Sequence, residues 1–390
     1  MHAVDHTLII PTKNRPHFVQ RLLTYYLSLG FSGTVVIIDS SDARVAEDIK
    51  EYVESINKVN YIYLYSKGWP LQVIKDNLDC IKTKYVSSCG DDDFIIPDAI
   101  LRSITFLDNH QDISACRGDG FVISDTNIPG ESIGMYTQIK RLENTASERL
   151  TNHFANYGSS IFHVFRSDLF KKAISATPPM SKMEEGYDRL IGDELLVSGL
   201  MLVYGKFAPI EGLHVVRTAS QEGKKLRRSW ETKHLRKGRE MAIKDFIKKV
   251  SIAISDEDSI DIHEAEKRSI TALRLFFGLS INEEQEYEGL GELVLVETIK
   301  PSQVTIYSGS KTVRAKQSIR SFLMFLGLLE IFDAIKNKIF INNKRLGLKN
   351  VLDPNNFYHK DFIPVYSSLV TFHSQKSDSS KQLRDITSIK

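Results

Sequence analysis

Asp91, Asp92 and Asp93 stand side by side in the run Ser88-Cys89-Gly90-Asp91-Asp92-Asp93-Phe94. Lys84-Tyr85-Val86-Ser87 before them reads as a strand. Ile95-Ile96-Pro97-Asp98-Ala99-Ile100-Leu101 after them reads as a helix start with Pro97 in its first turn. Three carboxylates at the end of a buried strand repel one another, and a cation, a basic neighbour or proton uptake must relieve them. A hard divalent ion does so through oxygen ligands and keeps positions open for substrate phosphates. A solvated acidic turn at a helix start is the alternative reading.

The elements around the triplet form a repeating pattern. Thr7-Leu8-Ile9-Ile10 has the apolar character of a strand buried on both faces. It runs into Pro11-Thr12-Lys13-Asn14-Arg15-Pro16, where two prolines predict a loop. Phe18, Leu22, Leu23, Tyr26 and Leu27 recur at helical spacing, closed by Gly30 and Gly33. Val35-Val36-Ile37-Ile38 predicts a second strand, ending in Asp39-Ser40-Ser41-Asp42. A helix over 43–56, a strand over 59–65 and a helix over 71–81 follow. This β-α-β-α-β-α-β order predicts a Rossmann-like parallel sheet with helices on both faces. Ligands of such sheets bind outside the carboxyl ends of the strands. Thr12 to Arg15, Asp39 to Asp42, and Asp91 to Asp93 all fall there. No Gly-x-Gly-x-x-Gly follows the first strand, and no Gly-rich loop ends in Gly-Lys-Ser/Thr, which disfavours a dinucleotide dehydrogenase and a P-loop enzyme.

The chain has 390 residues, enough for one large domain and a smaller one, and its net charge of +2 argues against nucleic-acid binding. Cys80, Cys89 and Cys116 are an odd count without metal-ligand spacing, which predicts free thiols in a reducing compartment. Met1 to His6 shows no basic-then-apolar signal pattern, and no stretch reads as a membrane span. The expected location is cytoplasmic, with peripheral contact at the inner membrane face as an option.

Pro11-Thr12-Lys13-Asn14-Arg15, then Val36-Ile37-Ile38-Asp39-Ser40-Ser41, then Gly90-Asp91-Asp92-Asp93 before Pro97, resemble a family 2-type glycosyltransferase of the GT-A fold, in its bacterial Pro-Thr-x-Asn-Arg branch. The resemblance covers roughly Leu8 to Val216. It implies that Pro11, Thr12, Asn14, Arg15, Asp39 and Ser40 hold the nucleotide of a sugar donor, UDP-linked if Asp39 accepts from a uracil ring. Asp76 and Asn77 lie where the family often has a polar residue facing the nucleotide; a surface helix position is the alternative. The family's Asp-x-Asp maps to Asp91 toward the ribose and Asp93 toward Mn²⁺ or Mg²⁺, with Asp92 able to share either role and Asp91 also a candidate metal ligand. Gly192-Asp193-Glu194 resembles the family's Glu-Asp motif, which implies Asp193 as the base and Glu194 as runner-up. Gly192 departs from the pattern, where the family has Glu. His214, in the expected strand Leu213 to Arg217, is a candidate third metal ligand, with edge packing as the alternative.

Ile113 to Cys116 and Gly120 to Ser124 predict two strands, and Ser159 to Phe165 a third. The polar stretch from Asp125 to Ser147 reads as an insertion on the acceptor side. His153 and His163 lie in this part of the chain, where lone histidines are more often structural. The expected organisation is a catalytic domain over 1–220, a basic loop or linker over 221–240, a mainly helical domain over 241–373 and a disordered tail over 374–390. Helical apolar spacing covers 243–254, 262–277 and 319–341. The basic segment from Lys224 to Arg239 reads as a solvated face, a loop closing on diphosphate, or a contact for anionic lipid or a phosphorylated acceptor. The expected function is metal-dependent, inverting transfer of a sugar to a glycan, glycolipid or other hydroxyl acceptor in surface polysaccharide or glycoconjugate synthesis. A non-catalytic sugar-nucleotide-binding scaffold and a sugar-nucleotide nucleotidyltransferase are the alternatives. The oligomeric state has no sequence signal.

Overall fold

The computed structural model describes residues 4–124, 132–136, 138–179, 181–182, 186–219, 236–277 and 345–372. β1 (His6–Thr12) lies between β2 (Thr34–Asp39) and β4 (Tyr85–Ser88), with β3 (Tyr61–Tyr65) outside β2, all parallel. Alternate residues of these strands enter two separate cores. Ile9, Val36, Ile38 and Val86 enter one, while Leu8, Ile10, Val35, Ile37 and Tyr85 enter the other. The apolar runs are therefore a consequence of burial on both faces. Pro11 belongs to β1 rather than to the expected loop, because pairing with β2 continues through Pro11↔Ile38 and Thr12↔Asp39.

Helices cover both faces, as expected. α1 (Pro16–Ser28), α2 (Ala43–Ser55) and α4 (Pro97–Asn109) pack into one core. α3 (Pro70–Asp76), α5 (Ala146–Ala155), α6 (Ser167–Ile174) and α7 (Leu196–Tyr204) pack into the other. α1, α3 and α4 each start with proline, whose fixed φ suits a first helical position and whose missing N–H costs nothing there. The expected helix over 71–81 is shorter: Asn77 donates to the Val73 carbonyl at 2.7 Å as α3 ends, and a 3-10 turn (Leu78–Cys80) follows.

The second half of the sheet is mixed. β6 (Ile113–Ser124) is one strand instead of two, because β-bulges against β9 (Lys206–Ala219) near Arg117, Asp119 and Gly120 absorb the irregularity. β7 (Ser132–Tyr136), inside the expected insertion, pairs antiparallel with β6. β8 (Val164–Arg166) is shorter than expected and lies between β4 and β6. The two-residue β5 (Phe94–Ile95), directly after the acidic triplet, pairs antiparallel with β9. β1 and β4 are adjacent although two strands intervene in sequence, so the chain reverses direction across the sheet between their carboxyl ends.

Over its described residues, the expected helical domain of 241–373 is divided between the two faces. α8 (Arg236–Asp258) and α9 (Ile262–Phe277) join the core of α5 and α7. β10 (Arg345–Gly347) extends the sheet beside β7. α10 (Leu348–Val351) and the helical residues 359–372, here α11, pack on the opposite core. Arg102 of α4 pairs with Asp361 at 2.9 Å, and the Tyr358 hydroxyl donates to Asp119 at 2.9 Å. Phe362 is fully buried, 5.7 Å from Phe121 between ring centroids. Phe362→Ala is therefore expected to destabilise the protein by about 3–5 kcal/mol, read as a lower denaturation midpoint. The helix expected over 319–341, the tail from 374 and all of the basic segment before 236 lie outside the described residues. Among the described residues no helix is long and apolar enough to cross a membrane. All three cysteines are unpaired.

Candidate active site

The reversal point brings the first loop onto the acidic triplet. The Thr12 hydroxyl donates to Asp91 Oδ2 at 2.7 Å. Arg15 pairs with Asp91 and, at 3.1 Å, with Asp92. Arg21 of α1 and the Thr218 hydroxyl of β9 both donate to the Asp92 carbonyl, at 2.8 and 2.6 Å. Asp93 accepts from the Thr218 N–H at 2.9 Å and lies 3.5 Å from Arg217 Nε. Asp91 and Asp93 are 0% and 5% exposed. Burial holds the Asp91 carboxyl above the usual carboxylate range, Asp92 adds to the rise, and Arg15 and Thr12 oppose it. Burial does the same to Asp93, with Asp92 adding and Arg217 opposing. Arg15, Arg21 and Arg217 thus converge on the triplet, yet burial still holds the Asp91 and Asp93 carboxyls above their ordinary range.

This donor set fits a hard divalent cation: adjacent buried carboxylates whose ionised forms are disfavoured by burial and by one another. Among the described residues no three His, Cys, Asp or Glu side chains are grouped to hold a metal alone. A metal held by one or two of these carboxylates would complete its coordination with substrate phosphate and water. His214 is not placed with the triplet. β5 pairs Phe94 with Val216, so Arg217 and Thr218 reach Asp93, while His214 lies further along β9. Its ring is fully buried near Arg117 and the Phe162 carbonyl, and burial keeps it neutral.

The other expected donor-binding residues divide into two groups. Asn14 takes the left-handed conformation, φ 56°, and ties the first loop to the second. Its N–H donates to Ser41 at 2.7 Å, its amide donates to Asp42 at 3.1 Å, and its Oδ1 accepts from the Asp42 N–H at 2.9 Å. Ser40 donates its N–H to the Thr12 carbonyl at 3.0 Å. Asp39 is fully buried at the end of β2. Its carboxylate accepts from the Ser41 N–H at 2.8 Å, from the Ser41 hydroxyl, and from Tyr63 at 3.0 Å. It organises the turn, and a bond from Asp39 to a nucleobase would have to displace these partners. Asp76 is exposed and accepts from Gln72 at 2.7 Å, while Asn77 is spent on the end of α3.

Asp193 lies in a π-helical turn (Leu190–Leu195) leading into α7, a local form common at functional sites. Asp188 starts this turn: it accepts from the Leu190 N–H at 3.0 Å and pairs with Arg239 of α8 at 3.5 Å. Asp193 is 5% exposed, and burial pushes its carboxyl up to about 6 against the nearby Arg189. Glu194 is exposed and accepts from the Tyr157 hydroxyl at 3.0 Å, so the two carboxylates have different partners. Gly192 has a packing cause. A Cβ there would overlap the ring of Tyr187, which is 2% exposed and donates to Asp245 at 3.0 Å. Gly192→Ala is expected to cost about 1–3 kcal/mol, measured by thermal or denaturant unfolding. The departure at Gly192 thus needs no loss of function to explain it.

Sequence reasoning missed Arg21, Arg217 and Thr218 around the triplet and Arg189 and Trp69 near Asp193. The expected strand over 213–217 already contained Arg217; its pairing with β5, invisible in the sequence, decides that Arg217 rather than His214 meets Asp93.

Residues 7–173 match the sequence profile of the glycosyl transferase family 2. No curated protein matches the chain. Among solved structures, S. aureus TarS superposes with 14% identity and a TM-score of 0.45 over 84% of this chain, which spans about half (54%) of that protein. The mannosyltransferase PcManGT from Pyrobaculum calidifontis, solved with GDP-Man and Mn²⁺, gives 12% identity and a TM-score of 0.41, covering 84% of this chain and 88% of that one. A CMP:2-keto-3-deoxy-manno-octonic acid synthetase complexed with CTP gives 11% identity and a TM-score of 0.34, covering 59% of this chain and 99% of that one. None of these reaches a TM-score of 0.5, so the family assignment rests on the sequence match. Residues 7–173, somewhat under half of the chain, are thus similar to the glycosyl transferase family 2.

Proposed function

We propose that the chain transfers a sugar from a nucleoside diphosphate donor, UDP-linked in our reading, to a hydroxyl of a glycan, glycolipid or other acceptor, with inversion at the anomeric carbon. Surface polysaccharide or glycoconjugate synthesis is the context we infer. The observation that carries the reading is the pair of buried carboxyls, Asp91 and Asp93, at the point where the sheet reverses, each raised above its ordinary range by burial and by Asp92. Asp93, with Asp91 or Asp92, would hold Mn²⁺ or Mg²⁺. When bound, the ion would neutralise the diphosphate and favour its departure.

The chain's own residues do the rest. Thr12 and Arg15 fix Asp91, and Arg21 and Thr218 fix the backbone at Asp92. Pro11, Asn14 and Ser40 hold the first two loops in one shape, which forms the wall for the nucleotide. Asp193 accepts the proton of the acceptor hydroxyl as its oxygen bonds to the anomeric carbon. The bond from that carbon to the diphosphate oxygen breaks, and the electron pair leaves with the nucleoside diphosphate.

Calorimetry with UDP and GDP, with and without Mn²⁺, tests the donor half of this reading. Binding of UDP that strengthens with Mn²⁺ is expected. GDP binding in preference to UDP would overturn the choice of base, and no binding of either would overturn the donor class.

A further inference from the structure

The candidate base is held by a chain of contacts that reaches back to the first loop. Arg189 Nη2 lies 3.6 Å from Asp193 Oδ2, one turn away, with the two side chains 17% and 7% exposed. The guanidinium carbon of Arg189 lies 3.9 Å from the centroid of the Trp69 ring. Trp69 belongs to a different part of the fold, as the residue immediately before α3. Lys13 Nζ, from the loop between Thr12 and Asn14, lies 5.8 Å from the same ring centroid. One indole therefore meets a cation from the loop that supports Asp91 and the cation that pairs with Asp193. A planar guanidinium can do both things at once: stack on an aromatic face and pair with a carboxylate at its edge.

We propose that Trp69 and Arg189 are positioning residues for Asp193, the ring fixing the guanidinium and the guanidinium fixing the carboxylate, so that the aim of the base depends on an element that also packs against the donor loop. The proposal rests on the reading of Asp193 as the base. Neither residue touches the reacting atoms. The other charged groups near Asp193 are Glu194 on its own turn and, beside Tyr187, Asp188 with its partner Arg239 and Asp245 with its partner Lys182. Asp188 and Asp245 are engaged with those partners, and Arg189 is the cation that opposes the effect of burial on Asp193.

The test has two arms, one independent of turnover. The chain has two tryptophans, Trp69 and Trp230, so Trp230→Phe leaves Trp69 as the sole indole. Its emission is expected to shift as Asp193 ionises, with a midpoint near 6, and the shift is expected to vanish in Asp193→Asn and in Arg189→Gln. In the second arm, donor turnover is followed against pH in the full chain. Arg189→Gln and Trp69→Ala are expected to lower kcat by about tenfold or more while the donor KM stays within about threefold. Their acid limb moves to higher pH, because the opposing charge is removed in Arg189→Gln and no longer held beside Asp193 in Trp69→Ala. Trp69→Phe, which keeps an aromatic face, is expected to restore most of kcat. Emission independent of pH in the Trp230→Phe protein would overturn the proposal, as would a rise in KM with kcat unchanged. An Asp193-dependent emission shift in a protein that binds no nucleotide sugar would overturn the proposed function and leave the Trp69–Arg189–Asp193 coupling supported.

Discussion

Asp193→Asn is expected to bind donor as the wild type does and to lose about two to four orders of magnitude in kcat, the range a general base supplies. The substitution keeps the shape of the side chain and removes its capacity to take a proton. Steady-state kinetics and calorimetry on the same preparation separate the two effects. The pH dependence follows from the position of the carboxyl. Burial raises it from 3.8 to about 6, with Arg189 opposing. Only the ionised form can act as a base, so turnover is expected to rise with pH through about 6. The sign for stability is opposite. A carboxyl raised in the fold contributes stability that is fully present below its unfolded value, and this is lost as pH rises through about 6. Asp193→Asn is therefore expected to be no less stable than the wild type at pH values above that point, which separates lost chemistry from lost fold. Glu194→Gln should retain most activity, since Glu194 is exposed and engaged with Tyr157.

Asp93→Asn is expected to lose about two to three orders of magnitude in kcat, together with any stimulation by Mn²⁺. Asp93 offers the more accessible of the two buried carboxylates, and its nearest cation, Arg217, stands at 3.5 Å. Asp91 is tied more closely, by Thr12 at 2.7 Å and by Arg15. Asn at position 93 can still accept from the Thr218 N–H, so the turn should persist while the charge disappears. Removing one of several crowded buried charges relieves repulsion, and the variant should fold at least as well as the wild type. Lost turnover with an unchanged or raised Tm is the expected pattern. Lost turnover with a lowered Tm would show instead that Asp93 holds the fold.

The parallel half of the sheet was legible because burial on both faces leaves continuous apolar runs, and because prolines and polar clusters mark where strands end. Thr12, Asn14, Arg15 and the acidic triplet were legible for the same reason: they sit at strand ends, and topology brings strand ends together. What the sequence could not show was pairing. The antiparallel match of β5 with β9 assigns Arg217 to Asp93 and leaves His214 in the interior. The role of Asp39 depended on Ser41, two residues away, and Tyr63, a whole helix away. Gly192 was read as a departure from a motif, but its cause is the Tyr187 ring across it, a contact within six residues that a π-helical turn creates. The division of the C-terminal region over two faces was hidden as well, since an amphipathic helix does not say which apolar surface it covers.

The most direct test of metal-assisted sugar transfer is a panel of nucleotide sugars, with and without Mn²⁺, following release of nucleoside diphosphate by the wild type, Asp93→Asn and Asp193→Asn. The expected result is release from one donor class that requires Mn²⁺, falls in both variants, and leaves donor binding intact in Asp193→Asn. Equal release by the wild type and both variants, or a wild type that binds no donor or nucleoside diphosphate at all, would contradict it.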